Sequence, residues 1–88
     1  MFEIRRDNFI FRVPKTGFKK YDVYDLNGKY LFSFGDRRYQ QFKDKLGFWS
    51  HLDHNDKERR KRYYQRHGPY VPGVNPDSFS KKYLWPLK

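Results

Sequence analysis

Lys19-Lys20-Tyr21-Asp22-Val23-Tyr24-Asp25-Leu26-Asn27-Gly28-Lys29-Tyr30-Leu31-Phe32-Ser33-Phe34 reads as two alternating runs around Asn27-Gly28. Asn-Gly between such runs is the strongest local hairpin signal, because both residues tolerate the positive φ of a type I′ turn. A two-residue turn there pairs Leu26 with Lys29, Val23 with Phe32 and Tyr21 with Phe34. One face then carries Tyr21, Val23, Tyr30, Phe32 and Phe34, and is the expected core side. The other carries Asp22, Tyr24, Leu26, Lys29, Leu31 and Ser33. A slip of one residue would scatter the rings over both faces. Aromatics are 22% of the chain, so rings rather than aliphatics must fill the interior. A base-stacking platform is the competing use of the same rings. An isolated hairpin is marginal in water. Phe9-Ile10-Phe11-Arg12-Val13, stopped by Pro14, is therefore expected to add a third strand.

Beyond the hairpin, Gly35-Asp36 ends the sheet. Asp36 is placed to cap a helix running to about Leu46, with Gly47 just past its end. Tyr39, Phe42 and Leu46 would form its sheet-facing stripe. Ser50-His51-Leu52-Asp53 has the form of a capping box. Asn55 or Asp56 could cap the next helix, which would run to about His67 and close at Gly68-Pro69. Three prolines and a glycine in residues 69–77 predict an extended connector. Ser78 would cap a last short turn carrying Phe79, Tyr83, Leu84 and Trp85. The predicted class is α+β: a small antiparallel sheet of about three strands packed by two helices. Residues 1–68 form the compact domain, and residues 69–88 form a Pro-rich connector with an aromatic C-terminal anchor. Phe79, Tyr83 and Trp85 are the anchor candidates. Trp49 and Trp85 could each hold a segment end within this chain or on a neighbour.

The chain has 88 residues, with 20 Lys and Arg against 10 acids, for a formal charge of +10. That excess speaks to partners rather than to fold, and suits nucleic acid, acidic protein or anionic lipid surfaces. Cysteine is absent, which excludes disulfides and thiolate metal sites. No apolar run approaches the roughly 20 residues that cross a bilayer. Residues 1–13 alternate polar and apolar, unlike a secretory leader.

The most informative segment is Lys57-Glu58-Arg59-Arg60-Lys61-Arg62-Tyr63-Tyr64-Gln65-Arg66-His67. A helix packed on a core shows an apolar stripe. Here only Tyr63 and Tyr64 are available, so the helix needs anions nearby or a polar dock. Arg beside Tyr suits carboxylate and phosphate forks and ring stacking. Lys57, Arg59, Arg60, Arg62, Tyr63 and Arg66 are the candidate partner-binding residues. The plainer reading is a solvated face with one Glu58–Arg62 pair. His51, His54 and His67, with Asp53 and Asp56, admit a metal or nuclease reading. Zinc, however, usually takes three or four fixed ligands, and the two aspartates are equally explained as helix N-terminal charges. No Ser-His-Asp set or phosphate-cradling glycine loop stands out. No catalytic residue, metal, cofactor or small-molecule substrate is therefore assigned.

His54 to His67 follows the pattern His-x-Asp-Lys-x-Arg-Arg-x-x-Tyr-x-x-Arg-His. With Phe34-Gly35 before it, and Ser78, Ser80, Leu84 and Trp85 after it, the chain resembles a family of small basic proteins of large nucleocytoplasmic DNA viruses, with phage relatives. The resemblance covers roughly Lys20 to Trp85. The connector lacks the Ala-Gly step of those relatives, so the match is looser there. The resemblance implies a viral origin and brings no catalytic set. The expectation is a non-enzymatic minor capsid or virion component, made in the host cytoplasm. It would cement larger viral proteins by docking their acidic surfaces. The alternative is a sequence-nonspecific nucleic-acid-binding protein that packages the genome.

Overall fold

A computed structural model describes residues 2–87. The architecture is α+β: a four-stranded antiparallel meander, in the order β1-β2-β3-β4, with two helices. The strands are β1 (Glu3–Arg6), β2 (Phe9–Arg12), β3 (Lys19–Tyr24) and β4 (Tyr30–Asp36). The helices are α1 (Lys57–His67) and α2 (Pro76–Tyr83). No helix among the described residues is long and apolar enough to cross a membrane.

The sheet has one strand more than the expected three. Asp7 and Asn8 both take positive φ, 54° and 70°, and turn β1 onto β2 with Arg6 opposite Phe9. Asp and Asn tolerate this left-handed region better than other non-glycine residues. β1 carries little strand signal in the sequence, because it is nearly all charge, with Ile4 its single apolar residue.

The central hairpin has the expected core register, Tyr21 opposite Phe34 and Val23 opposite Phe32. Its turn differs. The Gly28 amide donates to the Asp25 carbonyl, while Asp25 Oδ1 accepts from the Asn27 and Lys29 amides. Of the turn residues only Gly28 has positive φ, so Asn27-Gly28 is not a two-residue type I′ turn. The Asp25 carboxylate organises a longer loop, and a bulge between Val23 and Tyr24 brings Tyr24 opposite Tyr30.

No helix forms between Asp36 and Leu46. Short acidic side chains capture the amides that a helix would use. Asp36 Oδ1 accepts from the Arg38 amide, Asp44 Oδ1 from Leu46 and Asp53 Oδ1 from Asp44. Such bonds compete directly with helical ones. Of the expected stripe, Leu46 is buried but Tyr39 is 65% exposed. Ser50–Leu52 is a single 3-10 turn without a side-chain cap, so the expected capping box is absent. The Ser50 hydroxyl bonds the Gly47 carbonyl, and Asp53 is drawn to Gln41 and Asp44.

The helix that covers the sheet is instead α2. Asn75, not Ser78, is its N-cap, accepting from the Ser78 amide, and Pro76 occupies the first turn. Phe79, Tyr83 and Leu84 join Phe11, Tyr21, Val23, Phe34 and Leu46 in the core. Phe79 lies within 5.0–5.9 Å, centroid to centroid, of Phe9, Phe11, Phe32, Phe34 and Tyr83. The expected boundary at residue 68 therefore separates nothing. Phe79 and Tyr83 cannot anchor an arm on a neighbour, because they fill this chain's own interior.

Apart from His54 Nε2, the buried polar side-chain atoms among the described residues have partners, which avoids a large desolvation cost. The Tyr21 hydroxyl donates to Asp44, and the Tyr83 hydroxyl to Asp7 at 2.6 Å, which ties the β1–β2 turn to α2. Trp49 Nε1 donates to the Lys20 carbonyl. Gly35, at φ 76°, touches the C-terminal segment closely. A Cβ there would lie 2.8 Å from Leu84 Cδ1 and 3.0 Å from Lys20 Cβ.

A cationic groove between the first helix and the sheet

Helix α1 starts and stops where its capping residues dictate. Asp56 Oδ1 accepts from the Glu58 and Arg59 amides, and the Gly68 amide closes on Tyr64. His54 Nδ1 accepts from the Asp56 amide and so orients the cap. No residue of the helix is fully buried, and it makes no close backbone approach to another helix or strand.

Side chains hold α1 against the C-terminal segment. Tyr63 stacks on Trp85 at 4.2 Å, with the rings 8° from parallel. The Tyr64 hydroxyl donates to the Trp85 carbonyl and Arg60 Nη1 to the Pro86 carbonyl. The Arg60 guanidinium also lies over Phe42 at 4.3 Å. From α2, the buried Lys81 ammonium reaches the carbonyls of His67 and Pro69 beyond the helix C-terminus, and also Asp77. A cation there complements the negative end of the helix dipole. Both tryptophans thus bind segments of their own chain.

The candidate residues divide between two sides of α1. Arg59, Arg62, Tyr63 and Arg66 line a groove of about 630 Å³ together with Lys19, Lys20, Gly35, Tyr39, Gln40, His67 and Trp85. Lys57 and Arg60 line a more open concavity of about 660 Å³ on the other side, with Lys61, Tyr64, Pro69 and Leu87. Arg60 is occupied in holding Pro86 and Phe42, which removes it from the partner-binding set. Tyr63 contributes an edge and no free hydroxyl, because its oxygen bonds Ser80.

Four ion pairs occur among the described residues: Arg12–Glu3, Arg38–Asp36, Lys81–Asp77 and Lys82–Asp7. None involves α1, and the Glu58–Arg62 pair of the plainer sequence reading is not among them. Asp36, the one carboxylate lining the groove among the described residues, is bound by Arg38 at 2.7 Å. The hydrogen bond from Arg38 is the main reason its pKa falls to about 2. Arg59 Nη1 is steadied by Gln40 at 2.8 Å. Lys20 lies at the back of the groove, hydrogen-bonded to Gln41 and to the Tyr39 carbonyl. Burial pushes its pKa down to about 8. Sequence reading missed Lys19 and Lys20. They sit in the hairpin, some forty residues from α1, and only folding brings the two together.

The histidines do not gather. Among the described residues no three His, Asp or Glu side chains form a group able to hold a metal ion. His54 lies between Phe42 and Trp85, with Nε2 buried and without a hydrogen-bond partner. Burial lowers its pKa, and Arg59 adds to the effect. Comparison with protein families, curated proteins and solved structures finds no match to this chain.

Proposed function

We propose that this protein is a non-enzymatic structural component of a virion, a minor capsid protein that binds an acidic surface of a larger coat protein. One observation carries the reading: among the described residues the cations of α1 have no carboxylate partner, while the helix itself is held by its caps and by Trp85 and Pro86. A held row of free cations is a preorganised docking surface. The protein partner is favoured over a bare polyanion by what borders the ridge. Lys57 and Lys61 share their concavity with Glu58, Pro69 and Leu87, and Leu87 is 57% exposed. Exposed aliphatic groups add affinity for another protein but little for a phosphate chain. The viral setting comes from the sequence resemblance.

The test is cross-linking and mass spectrometry of purified virions separated into shell and genome fractions. Cross-links from Lys57 and Lys61 to carboxylates of a coat protein are expected. Recovery solely with the genome, and release by nuclease, would refute the reading in favour of genome packaging. That second reading draws on the groove, where Arg59, Arg62 and Arg66 lie beside Trp85 and Tyr39. It requires binding to random duplex DNA with a log–log salt slope of about −0.9 per phosphate neutralised.

A further inference from the structure

The groove has a property that docking of α1's outer ridge does not use. Its two walls carry the same charge. Lys19 stands on the sheet side with the buried Lys20 behind it, and Arg59, Arg62 and Arg66 stand on the helix side. The single acid at the rim is already engaged with Arg38. Cations facing one another across an open gap repel, and a groove walled by low-dielectric protein strengthens the field between them. Between the walls α1 approaches no strand or other helix along its backbone, and side chains such as Arg59, bonded to Gln40, span the gap. The groove is also of the size that small ligands occupy, roughly 300–1,000 Å³.

We infer that this groove is a binding site for a compact polyphosphate, which bridges Lys19 on the sheet to Arg59, Arg62 and Arg66 on α1. Clustered phosphates meet both walls at once, and each guanidinium offers a planar fork that matches a phosphate's oxygens. The buried Lys20 adds positive potential from behind. Trp85 and Tyr39 give the rim an aromatic surface, against which a base could lie if the ligand is a nucleotide. Bound polyphosphate would fasten α1 to the sheet and cancel the repulsion, so it should raise thermal stability.

The site is separate from the outer ridge, and its test does not use virions, so the two readings can fail independently. The full chain is titrated calorimetrically at about 0.15 M salt. The probes are inositol hexakisphosphate, ATP and tripolyphosphate, with sulfate as the simple-anion control. Saturable one-to-one binding of at least one polyphosphate, with a rise in Tm and no saturation by sulfate, is expected. Preference for ATP would assign the aromatic rim to a base, and preference for the other two would assign the site to phosphate clusters alone. Arg62→Ala and Arg66→Ala should each weaken binding about tenfold, the loss of one charge-assisted contact. Arg5→Ala, a remote exposed cation on β1, should not. Three results would overturn the inference: no saturable binding, equal weakening by Arg5→Ala, or tighter binding of a single-stranded oligonucleotide that loads several protein chains.

Discussion

Phe79→Ala separates a core residue from an arm residue. Phe79 is 4% exposed and contacts five other rings across β2, β4 and α2. Truncating a buried Phe to Ala removes its transfer free energy and leaves a cavity, at a cost of about 3–5 kcal/mol. An 88-residue domain has a total stability of only about 4–13 kcal/mol. The variant should thus lose a large fraction of its stability. With an unfolding entropy of about 0.19 kcal/mol/K for this length, Tm should fall by about 15–25 °C. Urea titration and thermal melts followed by circular dichroism read this directly. Phe79→Leu keeps most of the volume and should lose clearly less. Were residues 69–88 an arm waiting for a partner, both variants would melt within a few degrees of the parent. That outcome would refute the assignment of α2 to the core.

Arg60→Ala should cost about 1–2 kcal/mol, because it removes the bond to the Pro86 carbonyl and the contact over Phe42, whereas Arg62→Ala should stay within about 0.5 kcal/mol. Paired melts check this, and equal effects would show that Arg60 is not structural. Gly35→Ala should destabilise by more than about 1 kcal/mol, through both its positive φ and the approach of Leu84; an unchanged urea midpoint would contradict the close packing there. His54 predicts an acid sensitivity. Its folded pKa lies below the ordinary 6.5, so the unfolded chain binds the proton more readily. The stability from neutral His54 is complete above about pH 6.5 and declines as the pH falls towards the lower folded value. Melts at about pH 7.5 and pH 5.5 should therefore differ less in His54→Phe than in the parent. An identical pH difference in both would remove His54 as the source.

Local chemistry wrote much of this molecule legibly. The period-two pattern from Lys19 to Phe34 constrained the central register, because a one-residue slip would take Phe34 off the face of Tyr21 and Val23. Asp56 and Gly68 determined the ends of α1, since capping depends on a few neighbouring residues. The lack of apolar residues in α1 already implied a polar dock. What failed were inferences in which local rules met distant competitors. Tyr39, Phe42 and Leu46 had helical spacing, but Asp44 and Asp53 bound the amides and Lys20 and Gln41 filled the space beneath. Phe79 and Tyr83 looked like a free aromatic tail because their sequence position does not reveal that the sheet lacks a cover without them. The groove exists only in three dimensions. Its cations come from a strand and a helix far apart in the chain, and charge placed opposite charge is a property of the packing rather than of any segment.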